Sequence, residues 1–179
     1  MNKYFRLIWT YLISRHRSKM EAFDECSTPF RCWPNDLDVL GHMNNGVYFS
    51  LQDLARTDYM IRIGALKPIT DNGWYPVVTA ERIRFKKSLK PFQKFEIRTK
   101  LSYWDDKCIY LIHTFVANGE AYAWGTIRTR FLKKAGGLVN PEELLQAIGK
   151  STQAPPIPEF LKSWIESEEA HESLVQGKR

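Results

Sequence analysis

Two hydrophobic periodicities share this chain, and the change from one to the other divides it. Across residues 1–20, polar positions recur at Lys3, Arg6, Thr10, Ser14 and Arg17, leaving Tyr4, Phe5, Leu7, Ile8, Trp9, Tyr11 and Leu12 on the rest of the surface. That spacing predicts an amphipathic helix with a narrow polar stripe. Arg6 and Thr10 interrupt the apolar run, which falls short of the roughly 18 residues of a spanning helix. The apolar surface has two open readings, contact with a membrane interface or docking on the domain or a partner subunit. No small-residue cleavage site follows, which argues against a secretory signal, although an acid-free basic amphipath also suits an organelle presequence.

Thr28 to Pro34 reads as a short strand, followed by a turn-rich stretch, residues 35–45. From Gly46 to Ile63, Val47, Leu51, Leu54, Ala55, Tyr59 and Ile63 share one face and Gly64 supplies a stop, which predicts the main helix. Residues 65–76, with Pro68, Asp71, Asn72, Gly73 and Pro76, read as loop. Residues 77–132 then change period and predict four strands, the last two joined at Asn118-Gly119 and a turn standing at Asp105-Asp106. Alternation puts Val77, Thr79, Ile83, Phe85, Phe95, Ile97, Leu101, Ala123, Ile127 and Phe131 on one face. The other carries Arg82, Arg84, Lys86, Arg98, Lys100, Arg128 and Arg130, read as a solvated face. After Gly136-Gly137 come a short helix from Pro141 to Ile148, the spacer STQAPPIP and a last helix from about Glu159, anchored by Trp164 and Ile165. The reading is an α+β chain with a basic leader helix over 1–22, one domain over 23–134 and a helical extension over 135–179.

Charge sharpens this picture. The 179 residues hold 26 Lys and Arg against 20 Asp and Glu, a net +6, and 44% of them are hydrophobic, so disorder is excluded. The excess sits in the leader, which has five cations and no acid, and in the strand region, whereas the C-terminus is acidic. A nucleic-acid domain would be basic throughout and would pair its cations with stacking aromatics, so no nucleic-acid partner is expected. Cys26, Cys32 and Cys108 are odd in number and irregularly spaced, as in a reducing compartment. None of His16, His42, His113 and His171 stands at a metal-ligand spacing from a Cys or a second His, so no metal is expected.

Chemistry concentrates in NDLDVLGHMNNGVYFSLQDLAR, residues 35–56. Asn44 or Asn45 can cap the helix, and the remaining N–H groups of its first turn can receive an oxygen gaining negative charge, as an oxyanion hole does. Asp38 can supply a carboxylate that attacks a carbonyl or takes a proton from water. On pattern alone, these are ordinary turn and cap residues.

The run D-L-D-x-x-G-H-M-N-N-x-x-Y, with D-x-A-R further along the helix, resembles the signature of hotdog-fold acyl-CoA thioesterases. It is similar to the 4-hydroxybenzoyl-CoA thioesterase group, nearest its thioesterase superfamily member six-like branch. The resemblance covers about 105 residues and implies an antiparallel sheet of about five strands wrapped around one long helix. It implies a hydrolase of fatty-acid metabolism that cleaves acyl-CoA to free acid and CoA. It further implies no cofactor beyond the CoA thioester as substrate and assembly as a homodimer or dimer of dimers; the cysteines point to a cytoplasmic place, and the leader, residues 1–20, leaves peripheral membrane contact open. By position, the catalytic acid falls on Asp38, the turn glycine on Gly41 and the polarising amide at Asn45, with His42 and Asn44 as the polar pair of the motif. Tyr48 falls beneath the acyl group or in the core, and Asp53 where some hotdog enzymes place a catalytic helix acid, though it can equally pair with Arg56. Arg82, Arg84 and Lys86 are candidates for the CoA phosphates. The chain departs from the family at Pro91-Phe92-Gln93-Lys94, where relatives carry Gly-Asp or Gly-Glu, and it lacks the His-Phe-Pro motif of dehydratases sharing the fold. A second reading, a non-catalytic acyl- or lipid-binding hotdog protein at a membrane, stays open.

Overall fold

Alternating apolar residues build five long strands, β1 (Cys26–Arg31), β2 (Trp74–Phe85), β3 (Lys94–Trp104), β4 (Ile109–Ala117) and β5 (Glu120–Lys133). In the computed structural model, which describes residues 3–149 and 153–177, they form one antiparallel sheet in the order β1-β3-β4-β5-β2. The two-residue β6 (Leu138–Val139) pairs with β5. The β4–β5 turn needs left-handed backbone at both central positions, which Asn118 (φ 52°) and Gly119 (φ 77°) supply. Asp105 closes the β3–β4 turn by accepting the Lys107 and Cys108 amides at 2.8 and 2.7 Å.

The sheet curls around α2 (Asn45–Arg62), which buries Tyr48, Leu51, Leu54, Ala55 and Tyr59 against it. Two apolar clusters result. One surrounds Tyr59, Ile63, Trp74, Trp104 and Phe131, the other Tyr48, Leu51, Leu54, Phe95 and Phe115. Short helices α3 (Leu66–Asp71) and α4 (Pro141–Ala147) flank the first cluster, and α5 (Glu159–Val175) crosses the outer face of the sheet. This is the hotdog arrangement, a curled antiparallel sheet around one helix.

The structure corrects three expectations and decides a question the sequence leaves open. Residues 66–71 are helical rather than loop, and β2 already begins at Trp74. A β-bulge between Val78 and Ala80 flips the parity of β2, so Pro76 and Val78 face α2 while Thr79 donates to Arg128 O on the other side. Ile83 and Phe85 lie inward as alternation predicts. The outer face is not simply solvated, because Leu161 and Trp164 of α5 seal Cys108 and Tyr110 beneath them. The open question is which side of the leader meets the domain.

The leader forms α1 (Lys3–His16) and packs on the domain through its polar stripe. Arg6, Thr10 and Ser14 are buried. Arg6 Nη2 reaches Asp36 Oδ2 at 2.5 Å, and Arg17 bonds both Asp58 of α2 and, at 2.5 Å, the Ser27 carbonyl. Small Thr and Ser side chains let the helices approach, and the guanidinium groups extend to carboxylates that burial would otherwise leave unpaired. Residues 1 and 2, and Ser151 and Thr152 of the spacer, lie outside the described residues, as do the side chains of Lys3 and Tyr4. Among the described residues no helix is long and apolar enough to cross a membrane.

Candidate active site

The loop from β1 to α2 is fixed from below by Asp36. This residue ends a single 3₁₀ turn, Pro34–Asp36, and is buried. Its Oδ2 accepts from the Trp33 amide at 2.8 Å and from Arg6, and its carbonyl accepts the Asn44 amide at 2.8 Å. A Leu37–Met43 bridge pins the two ends of the loop together, and Met43 is buried. Between them residues 38–42 close on themselves. The Asp38 amide donates to His42 O at 2.8 Å and the Gly41 amide to Asp38 O at 3.1 Å. Asp38 Oδ1 accepts from the Leu40 and His42 amides at 2.9 and 3.1 Å. Gly41 sits at φ 75°, where a Cβ would strain the backbone although it would touch nothing.

Asn44 then caps α2, its Oδ1 accepting the Gly46 amide at 2.8 Å. A Cβ on Gly46 would come within 3.3 Å of that oxygen. Asn45 opens the helix on the exposed side, where the positive end of the peptide dipoles faces out. The loop therefore brings Asp38, Gly41, His42, Asn44 and Asn45 together at one helix N-terminus. That geometry can hold a carboxylate near amides that stabilise a growing negative charge.

Further along, Asp53 and Arg56 pair with each other one turn apart, and Arg56 Nη1 lies 3.6 Å from Glu81 Oε1 on β2. Burial pushes the Glu81 carboxyl above its ordinary range; Arg56 pulls it back and Asp53 adds to the rise. Asp53 and Arg56 border a cavity of about 340 Å³ between α2 and the sheet, whose walls include Met60, Ile63, Leu101, Leu111 and Phe131. Its size and apolar lining suit an acyl group.

Beside the cavity a polar band separates the two apolar clusters. Gln52 is fully buried over Gly125, so close that a Cβ there would stand 2.4 Å from its Nε2. His113, the cross-strand partner of Gly125, shares a 3.0 Å hydrogen bond with Thr99 Oγ1. Burial, and secondarily Arg56, drives the His113 pKa well below 6.5, so its ring is neutral. Gln52 Nε2 and Oε1, Arg56 Nη1, His113 Nε2 and Thr129 Oγ1 are buried polar atoms without a hydrogen-bond partner among the described residues. The sequence reading passed over Asp36, Gln52, Glu81 and His113. The available signals were Gln52 and Arg56 at a four-residue spacing on a face that should be apolar, and His113 at an inward strand position.

The remaining candidates lie elsewhere. Tyr48 is core, edge-on to Phe85 and Phe115 at 4.9 Å from each, with its hydroxyl 3.5 Å from the Leu89 amide. Arg82 stacks on Phe160 and Trp164 of α5 at 5.8 and 4.8 Å, and Arg84 on Trp124 at 5.6 Å. Arg82 and Arg84 thus brace the outer face of the sheet, while Lys86 is exposed at the end of β2.

Comparison with known proteins extends these observations. The thioesterase-like superfamily matches residues 32–165. Protein THEM6 of Xenopus laevis is 33% identical over 146 residues, spanning 81% of this chain and 69% of that one. Among solved structures, the YbaW probable thioesterase from Escherichia coli superposes with a TM-score of 0.65 at 20% identity, over 72% of this chain and 99% of its own. The BH1999 gentisyl-coenzyme A thioesterase does so with a TM-score of 0.61 at 20% identity, over 67% and 98%.

Proposed function

The chain belongs to the thioesterase-like superfamily, and from that premise we propose that it hydrolyses acyl-CoA thioesters to free acid and CoA. The observation that carries the reading is the loop held by Asp36 and closed by Asp38, which presents the start of α2 outward at Asn45. In this reading the thioester carbonyl lies against the Asn45 amide, which stabilises the oxyanion as the carbonyl carbon becomes tetrahedral. Asp38 acts in one of two ways. It attacks that carbon, so that the C–S bond breaks, CoA leaves as a thiolate and water then hydrolyses the resulting acyl anhydride to free acid and the regenerated carboxylate. Or it removes a proton from a water that attacks the carbon, after which the C–S bond breaks and the departing thiolate is protonated. His42 and Asn44 maintain the loop around the acyl and pantetheine portions. The acyl group occupies the cavity beside Asp53 and Arg56, and no redox or metal cofactor takes part.

The subunit alone leaves this site open. Val39 and Leu40, beside Asp38, are 101% and 76% exposed, and β2 is a twelve-residue edge strand with Tyr75, Val78 and Phe85 exposed. Long apolar edges recruit partners. A homodimer formed through β2, alone or doubled, would cover both features and complete the CoA path. The outer positions of Arg82 and Arg84, already stacked on aromatic rings, favour Lys86 among the three cations proposed for the phosphates.

A specific observation favours a second assignment within the same reaction. Asp38 spends one oxygen on its own loop amides, whereas Asp53 borders the cavity directly, so Asp53 would be the catalytic acid if the acyl group reacts there. Free-thiol release from a panel of acyl-CoA esters, run on the purified protein and on Asp38→Asn and Asp53→Asn, tests both. Turnover lost only in the first variant supports Asp38, and turnover lost only in the second supports Asp53. Binding of acyl-CoA with no thiol release from any ester would leave a non-catalytic acyl-binding protein.

A further inference from the structure

The leader helix is docked with its polarity reversed from the usual arrangement. Its polar stripe faces the domain and is locked by two ion pairs, Arg6 with Asp36 and Arg17 with Asp58. Its rotation is therefore fixed, and the apolar side points away from the core. Phe5, Ile8, Trp9 and Leu12 are 56%, 60%, 55% and 52% exposed, and Leu7, Tyr11 and Ile13 are exposed beside them. A run of large apolar side chains exposed on one helix face is not what a solvated surface selects.

The exposed face continues across the chain. Between α1 and the edge strand β1 runs a groove of about 520 Å³, lined by Phe5 and Trp9 on one side and by Pro29, Phe30 and Trp33 on the other. Its rim carries Arg31 and Lys94, which are direct cross-strand partners in the β1–β3 ladder. Two like charges placed opposite each other repel, and this placement is relieved when an anion lies between them. Arg15 stacks over Tyr11 at 5.6 Å and Arg31 over Trp33 at 5.9 Å, so two cations rest on aromatic rings at the border of the apolar face. No acid occurs among residues 1–20 to oppose them.

Apolar side chains, interfacial aromatics and flanking cations on one rigid face are what an anionic lipid surface binds. We propose that the outward face of α1, together with the groove it forms against β1, is a docking surface for an anionic phospholipid bilayer. The apolar side chains enter the acyl boundary while Arg31 and Lys94 meet headgroup phosphates. Arg6 links this face to the active-site loop through Asp36, so the bound protein would hold that loop at a fixed orientation to the membrane.

Flotation of the full-length protein with phosphatidylcholine vesicles, with and without phosphatidylserine, tests the proposal. The protein should float with the anionic vesicles and lose binding as salt rises. Ile8→Gln with Leu12→Gln, both exposed, should lower vesicle partitioning at least about tenfold with the melting temperature and vesicle-free thiol release unchanged. Arg31→Gln with Lys94→Gln should remove most of the preference for phosphatidylserine, each cation being worth roughly fivefold. Sedimentation velocity without lipid covers the other occupant of such a face, a second copy of the chain. Absence of flotation, equal flotation of wild type and the Ile8/Leu12 variant, or an oligomer that only this variant dissociates would each overturn the proposal. Because binding is read without substrate, failure of the thioesterase reading would leave this result standing.

Discussion

Replacing Arg6 by Met removes the cation under the candidate active-site loop while keeping much of the side-chain volume. Arg6 and Asp36 are 7% and 4% exposed and meet at 2.5 Å, so the substitution leaves a buried carboxylate without its cation, still accepting from the Trp33 amide. Breaking a buried pair from one side costs about 3–5 kcal/mol, against roughly 0–1 kcal/mol for an exposed pair. At about 2–4 °C per kcal/mol for a chain of this size, the melting temperature should fall by on the order of 10 °C. The loss should not be additive: Arg6→Met combined with Asp36→Asn removes the stranded charge and should cost less than the two single changes together. Urea denaturation of the four proteins in the cycle measures this directly. A cost below about 1 kcal/mol for Arg6→Met, or strict additivity, would mean that α1 does not sit on Asp36 and would refute the docking of the leader through its polar face.

Asp38→Asn should lower kcat by roughly 10²- to 10⁴-fold with little change in melting temperature, and Asp53→Asn far less, as thiol release under saturating acyl-CoA would show; the reverse order would move the catalytic role to Asp53. Gly125→Ala should destabilise by about 1–3 kcal/mol, since its Cβ would stand 2.4 Å from Gln52 Nε2 and 3.0 Å from the Arg82 carbonyl, and Gln52→Ala in the same chain should recover part of that in thermal melts. The depressed pKa of His113 means that the unfolded chain binds its proton first as pH falls, so stability is intact above 6.5 and declines below it, by up to about 1.4 kcal/mol per pH unit. Urea melts between neutral and mildly acidic pH should show that slope, and His113→Phe should flatten it; an unchanged slope would place the acid sensitivity on another group.

Much of this protein is legible without coordinates because its local patterns agree with one another. The face of α2, the strand alternation in β3 and β5, the Asn118-Gly119 turn and the last helix follow from periodicity and turn chemistry, which depend on near neighbours in the chain. The long motif at residues 36–48 carried the family and hence the antiparallel sheet wrapped around one helix, while the strand order β1-β3-β4-β5-β2 came only with the structure. Its second aspartate, Asp38, was read for chemistry, while the first, Asp36, carries the loop; both look alike in sequence because what separates them is burial and a cation thirty residues away.

Tertiary structure decided whatever depends on partners distant in sequence. The inserted residue near Val78 reverses the facing of part of β2, and no residue type marks it. The polar band of Gln52, Arg56 and His113 exists only because the sheet folds over the helix. The leader shows the difference most plainly. Its amphipathic spacing was written in residues 3–17, but spacing does not say which side faces the domain. Hydrophobicity alone would bury Phe5, Ile8 and Trp9; the buried carboxylates of Asp36 and Asp58, whose desolvation is costly without cations, turned Arg6 and Arg17 inward and left the apolar side free.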